Sequence, residues 1–223
     1  MLARCLAVSL TLLVVGLAPA RAADGWTDLF NGKDLSGWVI DGPAEYKDKA
    51  DGNRAKPLWT VQDGLIRTTG AAFGFLRYDR AFDDFILHVE YRMVKEKGVN
   101  SGIGIRTKKY ETKDPRDSRP SFYSYEVQLL DDAAAKPSTG STGSLYRYVA
   151  PTKMANKPAP EWNTIEIECI GPKIRVNVNG TDVLAFDQSA DEKLKSKPLS
   201  GYVCLQSHSK PVEFRNVRIK PLK

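Results

Sequence analysis

The sequence predicts an all-β protein, a sandwich of two antiparallel sheets. Three observations lead there. Past residue 23, apolar residues rarely recur at the spacing of a helical face. They alternate instead with polar residues in short runs, the period of a half-buried strand. Turn-forming pairs punctuate those runs, above all Asp63-Gly64 and Asn179-Gly180, whose residues tolerate positive φ. A sandwich or a barrel suits this pattern, and two sheets packed face to face bury all the apolar faces.

A chain of 223 residues with 42% hydrophobic content supports one sizeable core, so a single domain is expected over 24–223. The formal charge is +6, but basic runs are not interleaved with aromatics. No nucleic-acid motif appears. The basicity reads as a solubility feature with mild attraction for anionic glycans or surfaces, and nucleic acid is not an expected partner.

Residues 1–23 read as a signal peptide. Arg4 is the positive start, Leu6 to Leu17 the apolar stretch, and Ala20-Arg21-Ala22 the small-residue cleavage region. The apolar stretch is short for a membrane span. The expectation is export to the periplasm or beyond, with no stable membrane anchor after cleavage; a retained anchor helix is the alternative. Cys5 leaves with this segment. Cys169 and Cys204 have the parity of opposite strand faces, and two small buried thiols are expected rather than a bridge, which an oxidising compartment would permit.

Taken in order, Trp26 to Phe30 and Gly37 to Ile40 are the first candidate strands. Residues 41–57 are charged, carry Pro43 and Pro57, and read as a surface excursion. Leu58 to Gln62 and Leu65 to Thr69 form a hairpin across Asp63-Gly64. Phe85 to Met93 is the longest clean alternation. Phe85, Leu87, Val89 and Tyr91 share one face, and Ile86, His88, Glu90 and Arg92 the other. On Asn100 to Arg106, Ile103 and Ile105 point to the core. Asn100, Gly102, Gly104 and Arg106 share the opposite face. Its glycines either let a ligand approach the backbone or mark a bulge or corner. Residues 107–121, broken by Pro115 and Pro120, form a long loop suited to a rim or lid.

Tyr125 to Asp132 is the stretch on which the functional reading rests. Val127 and Leu129 face one way, Glu126 and Gln128 the other. Same-face neighbours lie roughly 6–7 Å apart, so the pair can grip one sugar-sized ligand, or be an ordinary solvated face. A loop over 132–143, a short strand at Leu145 to Tyr148 and a proline-rich loop follow. The last third is a meander through Trp162 to Ile170, Ile174 to Val178, Val183 to Phe186, Tyr202 to His208 and Val212 to Ile219. One helical turn is expected within Ser189 to Ser200.

An ordered set of segments carries a resemblance: DLFNGKDLSGW, WTVQDGLI, FILHVEYR, NSGIGIR, YEVQLLDD, GSLY, EWNTIEIECIG, VNVNG, GYVCLQSH and VEFRNVRIK. The chain resembles the 3-keto-disaccharide hydrolase domain family from about Gly25 to Pro221. That resemblance implies a concanavalin-like jelly-roll β-sandwich of two antiparallel sheets, usually exported by bacteria. It also implies cleavage of oligosaccharides or glycosides already oxidised to a ketone at C3.

Alternation nominates the polar residues of such a site: Glu90 and Arg92, Asn100 and Arg106, Glu126 and Gln128, Gln206 and His208, with Tyr146 as a weaker candidate. Structural ion pairs, backbone contacts or solvent exposure are the alternatives for each. Ordinary glycosidases set two carboxyls roughly 5–5.5 Å or 6.5–9.5 Å apart. The strand of Glu126 lacks a second one, which counts against plain acetal hydrolysis. A ketone at C3 acidifies the C2 proton; a base removes it, the enolate expels the C1 group, and water adds to the enone. That scheme assigns His208 or Glu126 as base, Arg106 as oxyanion stabiliser, and Glu90 or Tyr146 as acid. Gln128, Asn100, Gln206 and Arg92 bind substrate. No zinc or calcium motif appears, although Asp131 and Asp132 are oxygen donors that suit a Ca2+ ion, with solvated loop acids the plainer reading. The second functional reading is a non-catalytic, lectin-like module, for which Trp26, Trp38, Trp59 and Trp162 are the aromatics to follow. A third is a structural or protein-interaction sandwich, its polar face incidental.

Overall fold

The alternating run at 85–93 forms β8 (Phe85–Met93), in which Leu87, Val89 and Tyr91 are buried. The computed structural model describes residues 24–94, 98–113 and 117–222; the expected signal peptide lies outside them. β8 pairs antiparallel with β11 (Asn163–Ile170) on one side and β15 (Val212–Pro221) on the other. β11 continues through β12 (Lys173–Val178) to β13 (Thr181–Asp187), the expected meander. Beyond β15 lies the hairpin of β6 (Leu65–Thr68) and β5 (Trp59–Gln62), and the two-residue β1 (Thr27–Asp28) also pairs with β15.

A second sheet has the order β10 (Tyr125–Leu130), β9 (Asn100–Thr107), β14 (Tyr202–Ser207), β7 (Gly74–Tyr78) and β2 (Trp38–Asp41). Its inward residues, among them Ile103, Val127, Leu129, Val203 and Leu205, join Leu87, Val89, Ile165, Ile167 and Val176 of the larger sheet in one core. Burying the apolar faces of both sheets against each other is what holds the sandwich together.

Several expectations change. Residues 41–57 contain a separate ribbon of β3 (Glu45–Asp48) and β4 (Arg54–Pro57). β7 falls in a stretch that the alternation did not single out. Leu145 to Tyr148 is a turn, with Leu145 making isolated bridges to Val127 and Val149. The region 189–200 begins with a 3-10 turn at Gln188–Ala190. A four-residue helix, α1 (Pro120–Tyr123), closes the charged loop that was read as a rim. Its proline stands at the first helical position, where a missing N–H costs no intrahelical bond, and it holds Arg119 before it in an extended conformation. Cys169 and Cys204 are both buried and unbridged.

The glycines of β9 serve the protein's own packing. A Cβ at Gly104 would lie 2.5 Å from Cys204 Sγ and 2.8 Å from Pro120 Cγ. Gly104 is therefore the seat on which α1 docks. One at Gly102 would lie 2.6 Å from Glu126 Oε1.

Candidate functional site

The outer face of the smaller sheet carries a cleft of about 400 Å³, including its solvent-open mouth. Six of the residues nominated from sequence line it: Asn100, Glu126, Gln128, Tyr146, Gln206 and His208. Alternation put Glu126 and Gln128 of β10 outward, and β9 and β14 bring Asn100 and Gln206 alongside. Tyr146 enters because the turn that carries it runs along β10, its amide donating to Glu126 O at 2.8 Å.

Glu126 lies at the centre, 5% exposed. Gln206 Nε2 donates to Glu126 Oε1 at 2.9 Å. With its amide turned to satisfy both ends, Gln128 donates to Glu126 Oε1 at 3.3 Å and to Ser101 O at 3.2 Å. Gln128 also lies 3.2 Å from the Asn100 side chain. Burial pushes the Glu126 carboxyl up to about 7; the Gln206 bond, Arg119, Ser121 and Arg147 each pull the other way. Gln206 is 2% exposed and its Oε1 has no hydrogen-bond partner among the described residues. That leaves a buried acceptor for a ligand hydroxyl. His208 stands at the rim with its ring edge-on to Phe73, centroids 5.5 Å apart. Desolvation and then Arg119 lower its pKa, which favours the neutral imidazole.

Sequence reasoning missed Arg119, Arg147, Ser121, Phe122 and Phe73, all of which line the cleft. They come from loops and α1, where no strand alternation exists to reveal a facing. The only signal was the expectation that 107–121 would form a rim. Arg119 lies over Phe73 at 4.2 Å, and Arg147 over Phe122 at 4.3 Å.

Three nominated residues are elsewhere. Glu90 and Arg92 have the outward facing that alternation predicts, but β8 belongs to the larger sheet, so their face is not that of the cleft. Glu90 accepts from Arg215 Nε at 2.7 Å and Asn216 Nδ2 at 2.6 Å. Arg92 pairs with Glu213 and lies over Trp162 at 4.9 Å. Arg106 is 0% exposed, its guanidinium donating to Gly171 O at 2.6 Å and to Asp83 O at 3.0 Å. A bulge explains the error. Ile105 and Arg106 together oppose the single residue Val203, and Arg106 has φ 51. An extra residue breaks the two-residue period and re-aims the side chain.

Asp132 accepts from Thr142 Oγ1 at 2.7 Å, Thr142 N at 3.0 Å and Asn156 Nδ2 at 3.1 Å, so both its oxygens staple a loop. Among the described residues, no group of three or more His, Cys, Asp or Glu is placed to hold a metal ion. None of the four tryptophans lines the cleft, and Trp38 and Trp59 are buried.

Comparison with known proteins bears on the family and the fold. The chain is 27% identical to the 3-keto-disaccharide hydrolase of Bacteroides thetaiotaomicron, over 90% of this chain and 79% of that protein. Its fold matches the crystal structure of a candidate glycosyl hydrolase from Parabacteroides distasonis with a TM-score of 0.70, at 24% identity and covering 90% of this chain and 96% of the other. It also matches SCLam, a non-specific endo-β-1,3(4)-glucanase of family GH16, with a TM-score of 0.55 at 13% identity, covering 91% and 93% of the two chains. These likenesses establish the jelly-roll sandwich. The 3-keto-alpha-glucoside-1,2-lyase-like domain matches residues 25–220, essentially all that is described, and the chain belongs to that family.

Proposed function

We propose that this protein is a hydrolase-type enzyme that cleaves the glycosidic bond of 3-keto-disaccharides and related 3-keto-glycosides, by elimination followed by hydration. One observation carries the reading: among the described residues the cleft holds a single buried carboxyl, Glu126, pushed up to about 7 by burial, with two guanidiniums close by. Direct acetal hydrolysis calls for two carboxyls flanking the scissile bond. Proton abstraction beside a ketone calls for one base and a cation for the enolate.

In this scheme ionised Glu126 takes the C2 proton. The electron pair moves into the C2–C3 enolate, whose oxygen Arg119 stabilises in place of the misassigned Arg106. Collapse of the enolate breaks the C1–O bond, and the departing oxygen takes a proton from Tyr146. Water then adds to the enone at C1 and gives a proton to the Tyr146 phenolate, while Glu126 returns its proton to C2, giving the free 3-keto sugar. Gln128, Asn100 and Gln206 bind sugar hydroxyls. The name of the family and that of the Bacteroides relative support this chemistry, and the lack of a tryptophan platform disfavours a lectin-like module. Export through the segment at 1–23 belongs to the same proposal and suits an enzyme of environmental glycans.

The test is incubation with paired native and 3-keto-disaccharides, with wild type and with Glu126→Gln, His208→Ala and Tyr146→Phe. The expected result is release from the 3-keto member alone, reduced about 10²–10⁴-fold in the Glu126 variant. Wild-type rates in that variant, or equal cleavage of both sugars, would overturn the proposal.

A further inference from the structure

The proton-transfer scheme leaves one cation of the cleft without a task. Arg119 serves the enolate; Arg147 does not enter the reaction. The other lining residues do not balance it. Among the described lining residues, Asn100, Ser121, Gln128, Tyr146 and Gln206 carry no charge, His208 is shifted toward its neutral form, and Glu126 is the only carboxyl. With two guanidiniums against one acid, the described lining of the cleft is positive in every protonation state of Glu126.

Arg147 is also held with unusual firmness for an exposed arginine. Its φ is 77, a left-handed conformation that a non-glycine residue seldom keeps unless its surroundings impose it. The turn is clamped on both sides: Arg147 N donates to Thr139 O at 2.9 Å, and Tyr146 N to Glu126 O at 2.8 Å. The guanidinium then rests on the Phe122 ring of the rim helix at 4.3 Å. Among the ion pairs of the described residues, Arg147 joins none of the chain's carboxylates; the nearest cleft acid, Glu126, feels it only at a distance. A planar fork, pre-oriented on an aromatic face and open to solvent at the mouth, matches an anionic oxygen group.

Resting on the assignment above, we propose that the preferred substrates are 3-keto-glycosides that carry an anionic group, a carboxylate or a sulfate, and that Arg147 is the residue that reads it. The anion sits at the mouth of the cleft, away from the reacting carbons. Its charge also offsets the excess positive charge that Arg119 and Arg147 together leave there.

The test uses matched 3-keto-glycosides. One pair differs in the leaving group, 4-carboxyphenyl against 4-carbamoylphenyl. A second differs in the sugar, 3-keto-glucuronide against 3-keto-glucoside. A third replaces the glucuronide carboxylate with a 6-sulfate. The anionic member of at least one pair should show kcat/KM higher by about tenfold at low salt. That advantage should shrink at roughly 0.5 M KCl, where exposed charges are screened. Arg147→Met should abolish the advantage through KM, and Arg147→Lys should keep part of it. The pair that responds, and whether carboxylate or sulfate does so more strongly, identifies the anion and its place. Equal rates within every pair, or an advantage that survives in Arg147→Met with wild-type melting, would overturn the proposal. If no 3-keto compound is cleaved, the assigned reaction fails, and calorimetric binding of the same pairs decides this point separately: tighter binding of an anionic member supports it, equal binding sinks it.

Discussion

Glu126 pairs with Gly104 in the ladder between β9 and β10, yet its carboxyl leans over Gly102, where a Cβ would lie 2.6 Å from Oε1. The absent side chain of Gly102 is the space that Glu126 occupies. Gly102→Ala must therefore push the carboxyl out of the contacts that hold it. Its φ does not fall in the left-handed region, so alanine fits the backbone there. The expected outcome is a loss of about 10²-fold in kcat/KM or more, with the fold retained. Steady-state kinetics beside a circular dichroism melt checks it; a variant with unaltered kcat/KM would show that Glu126 is not placed by this glycine.

Burial of Glu126 makes the site costly. The carboxyl is raised from 4.5 to about 7 in the folded protein. Between those values the native state binds the proton that the unfolded chain has released, so stability falls as pH rises through this window and stays lower above it. The shift corresponds to roughly 3 kcal/mol as an upper figure. Glu126→Gln should accordingly melt higher than wild type at pH 8 and close to it at pH 4. Paired melts at the two pH values measure this.

Gln206 holds the ionised form of Glu126 through its 2.9 Å bond. Removing that donor in Gln206→Leu raises the Glu126 pKa further. The acidic limb of the kcat/KM–pH profile should move to higher pH, because more alkali is needed to ionise the base. A shift to lower pH, or none, would separate Gln206 from the proton-transfer step.

Lys197 anchors the rim helix from behind. Its Nζ donates to Phe122 O at 2.7 Å and lies over Tyr148 at 4.8 Å and Tyr125 at 5.3 Å. Burial lowers its pKa from 10.5 to about 8. Between those values the unfolded chain keeps a proton that the folded one has lost, so this residue makes stability rise with pH across that window. Lys197→Met should raise KM several-fold by loosening the segment that carries Ser121 and Phe122, with little loss of melting temperature at pH 7. An unchanged KM would show that α1 is held without Lys197, by Pro120 on Gly104 and by the Tyr148 hydroxyl, which donates to Ser121 O at 2.8 Å.

Arg106 is structural, and its substitution should say so. Arg106→Met strips donors from Gly171 O and Asp83 O and leaves Asp84 short of its 3.4 Å partner. A loss of about 3–5 kcal/mol in urea unfolding is expected, with the activity of the folded fraction kept. Selective loss of kcat at unchanged stability would return Arg106 to the site.

The sequence by itself determined the sandwich, most strand positions, and the outward facing of Glu126, Gln128 and Gln206. Those follow from a two-residue period, a local property that any six-residue stretch displays. Tertiary structure alone decided which outward faces share a surface. Glu90 and Glu126 have equivalent patterns, and only the pairing of β8 with β15 and of β10 with β9 sends them to different sheets. The bulge that withdraws Arg106 arises between β9 and β14, nearly a hundred residues apart, and no local pattern encodes a long-range register. Arg119 and Arg147 come from a loop and a turn, whose side-chain directions are set by what they dock on. The sheet could be read from the chain, but its cations had to be found in space.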